Sequence, residues 1–137
     1  MIRRRTRNKN GSRRSGAAVV EFAVCLPVIL LIVLGSIEAA SMLFLRQALV
    51  QSAYEGVKVA VRNNGDNALA TQAVENVAAG RRLENMSITF SPENVATAAQ
   101  GEIIRVTVSA PGNGNSFIPF GPFKDRVVSA QAVMVKE

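Results

Sequence analysis

The sequence predicts an α+β chain: a long N-terminal membrane-spanning helix that continues into a small head of one further helix and about three antiparallel strands. Three observations carry this expectation. An apolar run with two isolated carboxylates fills residues 17–45, behind a strongly basic flank. An apolar spacing of about four residues then continues through residues 46–62. Past residue 86, β-branched segments alternate between apolar and polar positions.

Length and charge bound the rest. A chain of 137 residues suits an anchor plus one small domain. The formal charge of +6 is concentrated at one end, in Arg3, Arg4, Arg5, Arg7, Lys9, Arg13 and Arg14. From Ser15 onward nine Lys/Arg face ten Asp/Glu, a net of −1. A basic tail next to an apolar run fits the positive-inside rule, with Arg13 and Arg14 as topology determinants, so no nucleic-acid partner is expected. Residues 1–14 bury nothing and are expected to be unstructured. They are expected to hold the N-terminus in the cytoplasm and send the C-terminal part across the membrane.

As a helix, residues 17–45 would measure about 43 Å. Residues 22–37 carry no charge and form the expected hydrocarbon-embedded core. Pro27 removes one backbone hydrogen bond and is expected to kink the helix. Gly35 and Ala39, like Ser36 and Ala40, are small residues four apart, which permits close packing of helices in a membrane; small residues are also simply common there. Cys25, the single cysteine, excludes an intramolecular disulfide and reads as an apolar filler.

Leu45, Leu49, Ala53, Val57 and Val61 continue the helix over residues 46–62 with one apolar stripe. Gly65, in Asn63-Asn64-Gly65-Asp66, supplies the stop. Residues 67–80 form a second helix with Ala70, Ala73, Val74, Val77 and Ala78 inward, Asp66 or Asn67 as cap and Gly80 at its end. Residues 87–90, 102–110 and 126–135 read as strands. In the last, Val128, Ala130, Ala132 and Met134 share one face and Val127, Ser129, Gln131, Val133 and Val135 the other. Phe117, Phe120 and Phe123, among Pro and Gly, read as a loop that plugs the core or as a contact surface.

Glu21 is the anomaly of the apolar run. A carboxylate at membrane depth costs about 2.5–3.5 kcal/mol, and less near the headgroups. It is either tolerated at the interface or paired with a positive group on another molecule.

Gly16-Ala17-Ala18-Val19-Val20-Glu21-Phe22, behind basic residues and ahead of an apolar run, resembles the class III signal of type IV pilins and pseudopilins. The stretch over residues 13–44 is more closely similar to the start of the TadE-like family, minor pilins of tight-adherence (Tad or Flp) pilus systems. The likeness continues at Arg46-Gln47-Ala48-Leu49 and over residues 53–58, and loosely over residues 127–137. The resemblance implies a pilin-like fold and an assembly role in adhesion or secretion. It implies cleavage by an inner-membrane prepilin peptidase after Gly16, which makes Ala17 the new N-terminus and Glu21 the fifth mature residue. The Glu21 carboxylate would pair with the α-amine of a neighbour's Ala17. The implied partners are other pilin or pseudopilin subunits, the Tad assembly machinery and the membrane.

The implied layout is a leader over 1–16, a transmembrane helix over 17–45 and a periplasmic or extracellular head over 46–137. Two other readings remain: an uncleaved single-pass scaffold with a periplasmic domain, and a secreted protein cut near Ala39-Ala40. The chain has no His. No catalytic set, phosphate loop, cofactor, metal or small-molecule substrate is therefore expected.

Overall fold

A computed structural model of the chain describes residues 11–116 and 125–137, with side chains from Gly16 onward. Its elements are helices α1 (Gly11–Ala60) and α2 (Asn67–Gly80), strands β1 (Ser87–Ser91), β2 (Ile103–Pro111) and β3 (Val127–Val135), and a short 3-10 turn at Val95–Thr97. The chain divides into two compact units, residues 1–36 and residues 37–137. The first contributes only the opening part of α1. The second holds all other elements, and the architecture is α+β as the sequence indicated.

One expectation about the tail is corrected. Gly11 to Arg14 belong to α1 rather than to an unstructured segment. Arginine is a good helix former, and extending an existing helix avoids the cost of nucleating one. Residues 1–10, and the Phe117, Phe120 and Phe123 stretch, lie outside the described residues.

In the 37–137 unit the α1 stripe is buried as its spacing indicated: Leu45, Leu49, Ala53, Val57 and Val61 all lie within the core. It meets the inner face of an antiparallel sheet ordered β1-β2-β3. β2 is central, so Ile104, Val106, Val108 and Ala110 are buried while Ile103 and Arg105 face outward. Register pairs Val106 with Phe90 on one side and Ala132 on the other. The alternation in β3 is also as read, with Val128, Ala130, Ala132 and Met134 packing inward. Ala70, Val74 and Ala78 of α2 complete the core side, and Ala73 and Val77 sit at its margin.

Small residues set the packing distances. A Cβ on Gly56 would lie 2.5 Å from Val74 Cγ2 and 3.4 Å from Val106 Cγ1, so α1 approaches α2 and β2 at this glycine. Gly65 turns under the end of α1, where a Cβ would stand 2.5 Å from the carbonyl oxygens of Val59 and Ala60. Its N–H donates to Arg62 O at 2.8 Å. Asp66 caps α2, accepting from Leu69 N at 2.7 Å. Asn67 has a different task. It donates to Glu93 O at 2.6 Å and accepts from Val95 N at 2.8 Å, pinning the β1–β2 connection to α2. α2 ends at Gly80, but the left-handed residue that turns the chain is Arg82, with φ of 54°.

Lys136 is a buried cation, 6% exposed. Its ammonium donates to Ala60 O at 3.1 Å and Val95 O at 3.3 Å. A positive charge on the last carbonyl of α1 complements the negative end of the helix dipole. Glu137 N also donates to Val61 O at 3.0 Å, so the end of the chain closes the end of α1.

Gly56→Ala tests the close approach. Alanine would gain about 1 kcal/mol of helix propensity, but overpacking a stiff β-branched neighbour costs about 1–3 kcal/mol. The expected result is a net loss of about 1 kcal/mol, read as a lower thermal midpoint by circular dichroism. A midpoint above wild type would show that Val74 can yield.

Candidate functional site

Every residue from Gly16 to Ile37 is exposed within the chain. The exposed set includes Val19 at 66% and Leu31 at 71%. A continuous apolar surface of this extent marks a membrane or protein contact rather than a water-facing helix. α1 is the one helix among the described residues long and apolar enough to cross a membrane. Its run needs no loop inside the bilayer, because backbone groups pair within the helix.

The residues singled out from sequence lie along this surface. Gly16 and Ala17 are exposed members of α1, and nothing stands within 4 Å of a Cβ built on Gly16. Arg13 and Arg14 are helical, and their side chains are outside the described set. Glu21 is exposed, four residues after Ala17 on the helix, with no hydrogen bond or ion pair among the described residues. Pro27 lies inside α1, which continues past it. Gly35 has nothing within 4 Å of a built Cβ, and Ala39 is exposed. Ser36 turns its hydroxyl back onto its own helix, donating to Ile32 O at 2.8 Å. Cys25 is a free, exposed thiol. From Gly16 to Gly35 the helix advances about 28 Å, so these residues form a line of contacts rather than one pocket.

Glu38 is the residue that sequence reasoning passed over. It is 2% exposed. Its Oε2 accepts from Ser116 Oγ at 2.7 Å, while Oε1 has no hydrogen-bond partner among the described residues. Ser41, also buried, donates its hydroxyl to Glu38 O at 2.7 Å and sits 3.5 Å from Ser116 Oγ. This cluster ties α1 to the end of the β2 connection. The available signal was a second carboxylate ending an apolar run, followed three residues later by a serine. Its partner is 78 positions away and has no sequence mark.

Comparison with known families bears on this line of contacts. Residues 16–58 match the model of the TadE-like protein family. The match begins at Gly16, covers the exposed run with Glu21, and ends within the buried stripe of α1. It overlaps the resemblance read from residues 13–44, 46–49 and 53–58 from Gly16 onward. The looser likeness over residues 127–137 lies outside it. No curated protein and no solved structure matches the chain. The match covers 43 of the 137 residues and fits association of the exposed run with a membrane. Among the described residues no cluster of three or more His, Cys, Asp or Glu could hold a metal.

Glu38→Gln tests the cost of the buried carboxylate. The amide keeps an acceptor for Ser116 and removes a charge whose second oxygen is unpartnered. The expected thermal midpoint equals or exceeds that of wild type, whereas Glu38→Ala loses about 1–2 kcal/mol with the hydrogen bond. A glutamine variant as unstable as the alanine one would mean that the charge itself is needed.

Proposed function

We propose that the chain is a minor pilin or pseudopilin of a Tad-type pilus, cut after Gly16 by a prepilin peptidase of the bacterial inner membrane. The observation that carries this reading is the exposed apolar face of residues 16–37, which bears one carboxylate, Glu21, and begins at the first residue of the TadE-like match. In the uncut chain the basic flank fixes the N-terminus in the cytoplasm, with the head in the periplasm. Cleavage removes the seven basic residues before Gly16 and creates an α-amine on Ala17. The helix is then free to leave the bilayer for a bundle of like helices. In that apolar bundle an unpaired Glu21 or Ala17 amine is costly, so pairing between neighbours sets the axial register. Pro27 allows the helix to bend during the transfer, and Gly35 and Ala39 allow neighbours to approach.

The packing around Glu38 supports this over secretion with a cut near Ala39-Ala40. Such a cut would discard the carboxylate that holds Ser116. The uncleaved scaffold is the second reading. It is favoured by α1 running through Gly16 without a break, which requires local unwinding before a peptidase can act.

N-terminal sequencing of protein taken from native membranes separates the readings. Ala17 is expected. Met1 or Ile2 on protein that performs its normal role would replace the pilin by the scaffold. The pairing role has its own test: Glu21→Ala is expected to be processed as wild type yet to be missing from purified pili or assembly complexes. Normal incorporation of that variant would remove the pairing role while leaving cleavage intact.

A further inference from the structure

Within the 37–137 unit, α1 has a second face that the core does not use. Leu43, Gln47, Val50 and Tyr54 follow one another on it at intervals of four, three and four residues. Leu43 is 62%, Val50 48% and Tyr54 49% exposed, and Gln47 is exposed between them. With Arg46 and Gln51 these four line a shallow hollow of about 390 Å³. Leu45, Leu49 and Ser52, on the other side of the helix, are buried in the head.

A helix face turned only to water is expected to be charged. Between Ala40 and Tyr54 the single charged residue is Arg46. The alternation of four and three is the 3.5-residue period of a coiled-coil seam. It stops at Tyr54, because the next position, Val57, is buried in the core. Arg46 stands at one flank of the seam and Arg81, which donates to Gln51 at 2.8 Å, at the other. Long side chains at such flanks keep their charged ends in water.

We infer that this face is the seam of a parallel pairing between α1 and the same helix of a second copy of the chain. The occupant follows from Gln47. In a parallel register each seam residue meets its own counterpart, so Gln47 faces Gln47, and each amide supplies both a donor and an acceptor. An antiparallel pairing of the same four residues sets Gln47 against Val50 and leaves both amides in apolar contact. The four seam positions are uncharged, so two copies meet without like charges facing each other inside it. From Leu43 to Tyr54 the helix advances about 16 Å, a contact too small to hold two chains together from dilute solution. The pairing therefore forms where copies share one membrane and meet at high effective concentration. It requires neither cleavage after Gly16 nor entry into a pilus.

Disulfide mapping of the full chain, in membranes of cells that make it, tests the pairing. The background is Cys25→Ala, which removes the native exposed thiol. Gln47→Cys and Val50→Cys are each expected to give a covalent homodimer on mild oxidation. A parallel seam brings identical positions within the roughly 7 Å that a disulfide spans between Cα atoms. Gln72→Cys, exposed on α2, is expected to stay monomeric. Adding Val50→Glu to Gln47→Cys sets two carboxylates face to face and should lower the dimer yield about tenfold. Melting by circular dichroism is expected to be unchanged by that exposed substitution, which separates loss of pairing from loss of fold.

Absence of a homodimer at both seam positions overturns the inference, since lipid or another chain then covers the face. A yield at Gln72→Cys equal to that at Gln47→Cys overturns it as well, because collision alone would explain both. A conjugate of another mass at Gln47→Cys, or a yield that Val50→Glu leaves unchanged, also counts against a second copy. The readout is the same for chains that start at Met1 or at Ala17, so its failure leaves the cleavage reading standing.

Discussion

Between Leu45 and Ala60, α1 presses one apolar stripe onto β2 and α2, and that contact positions the rest of the head. The stripe is built from leucine, valine and alanine, all nearly inaccessible. Gly56 and the buried Ser52, whose hydroxyl returns to Ala48 O at 2.9 Å, keep the helix surface low where the neighbours cross it. The sheet has only three strands, and a sheet of that size is stable only when one face is covered. α1 supplies the cover. The helix therefore satisfies two solvation rules along one chain. Residues 22–37 are uncharged and exposed on all sides, as suits a lipid-solvated helix. Beyond Glu38 the buried apolarity contracts to a stripe.

The end of α1 shows how the head closes. Its last carbonyls would be orphaned in a buried setting. Gly65 brings the chain back beneath them, Lys136 places an ammonium on Ala60 O, and Glu137 donates its N–H to Val61 O. The two residues that follow β3 are thus fastened to the end of α1, while β3 itself pairs with β2. This explains how an edge strand with Val127, Val133 and Val135 exposed on its outer face keeps its register, because both its pairing and its terminus are fixed.

Much of this was legible because period decides burial. The four-residue spacing in α1, the α2 stripe and the two-residue alternation of β2 and β3 each reappear as observed burial. What was not legible depends on pairs of polar residues far apart in the chain. Nothing near Glu38 marks Ser116 as its donor, and nothing near Lys136 marks Ala60. Asp66 and Asn67 could not be distinguished by type, since both are good caps; the choice was made by the β1–β2 connection, which needed an amide with both a donor and an acceptor. Gly11 to Arg14 join α1 because a helix extends more readily than it starts, a cooperative effect that composition does not display.

An exposed apolar helix does not by itself distinguish an anchor from a subunit that leaves the bilayer. Lipid tails and neighbouring helices solvate such a surface almost equally, which is also why transfer between them is feasible. The asymmetry lies in the polar groups. Glu38 is withdrawn from both media by burial in the head, where Ser116 meets one of its oxygens. Glu21 has no such shelter within the chain. In lipid it can remain only near the headgroups, and in a helix bundle only beside a cation. A membrane anchor is served equally well by alanine at that position, whereas an assembly gains from the glutamate a penalty for every misaligned neighbour. In the proposed assembly, the one residue that weakens an anchor would be the one that sets the register of the array.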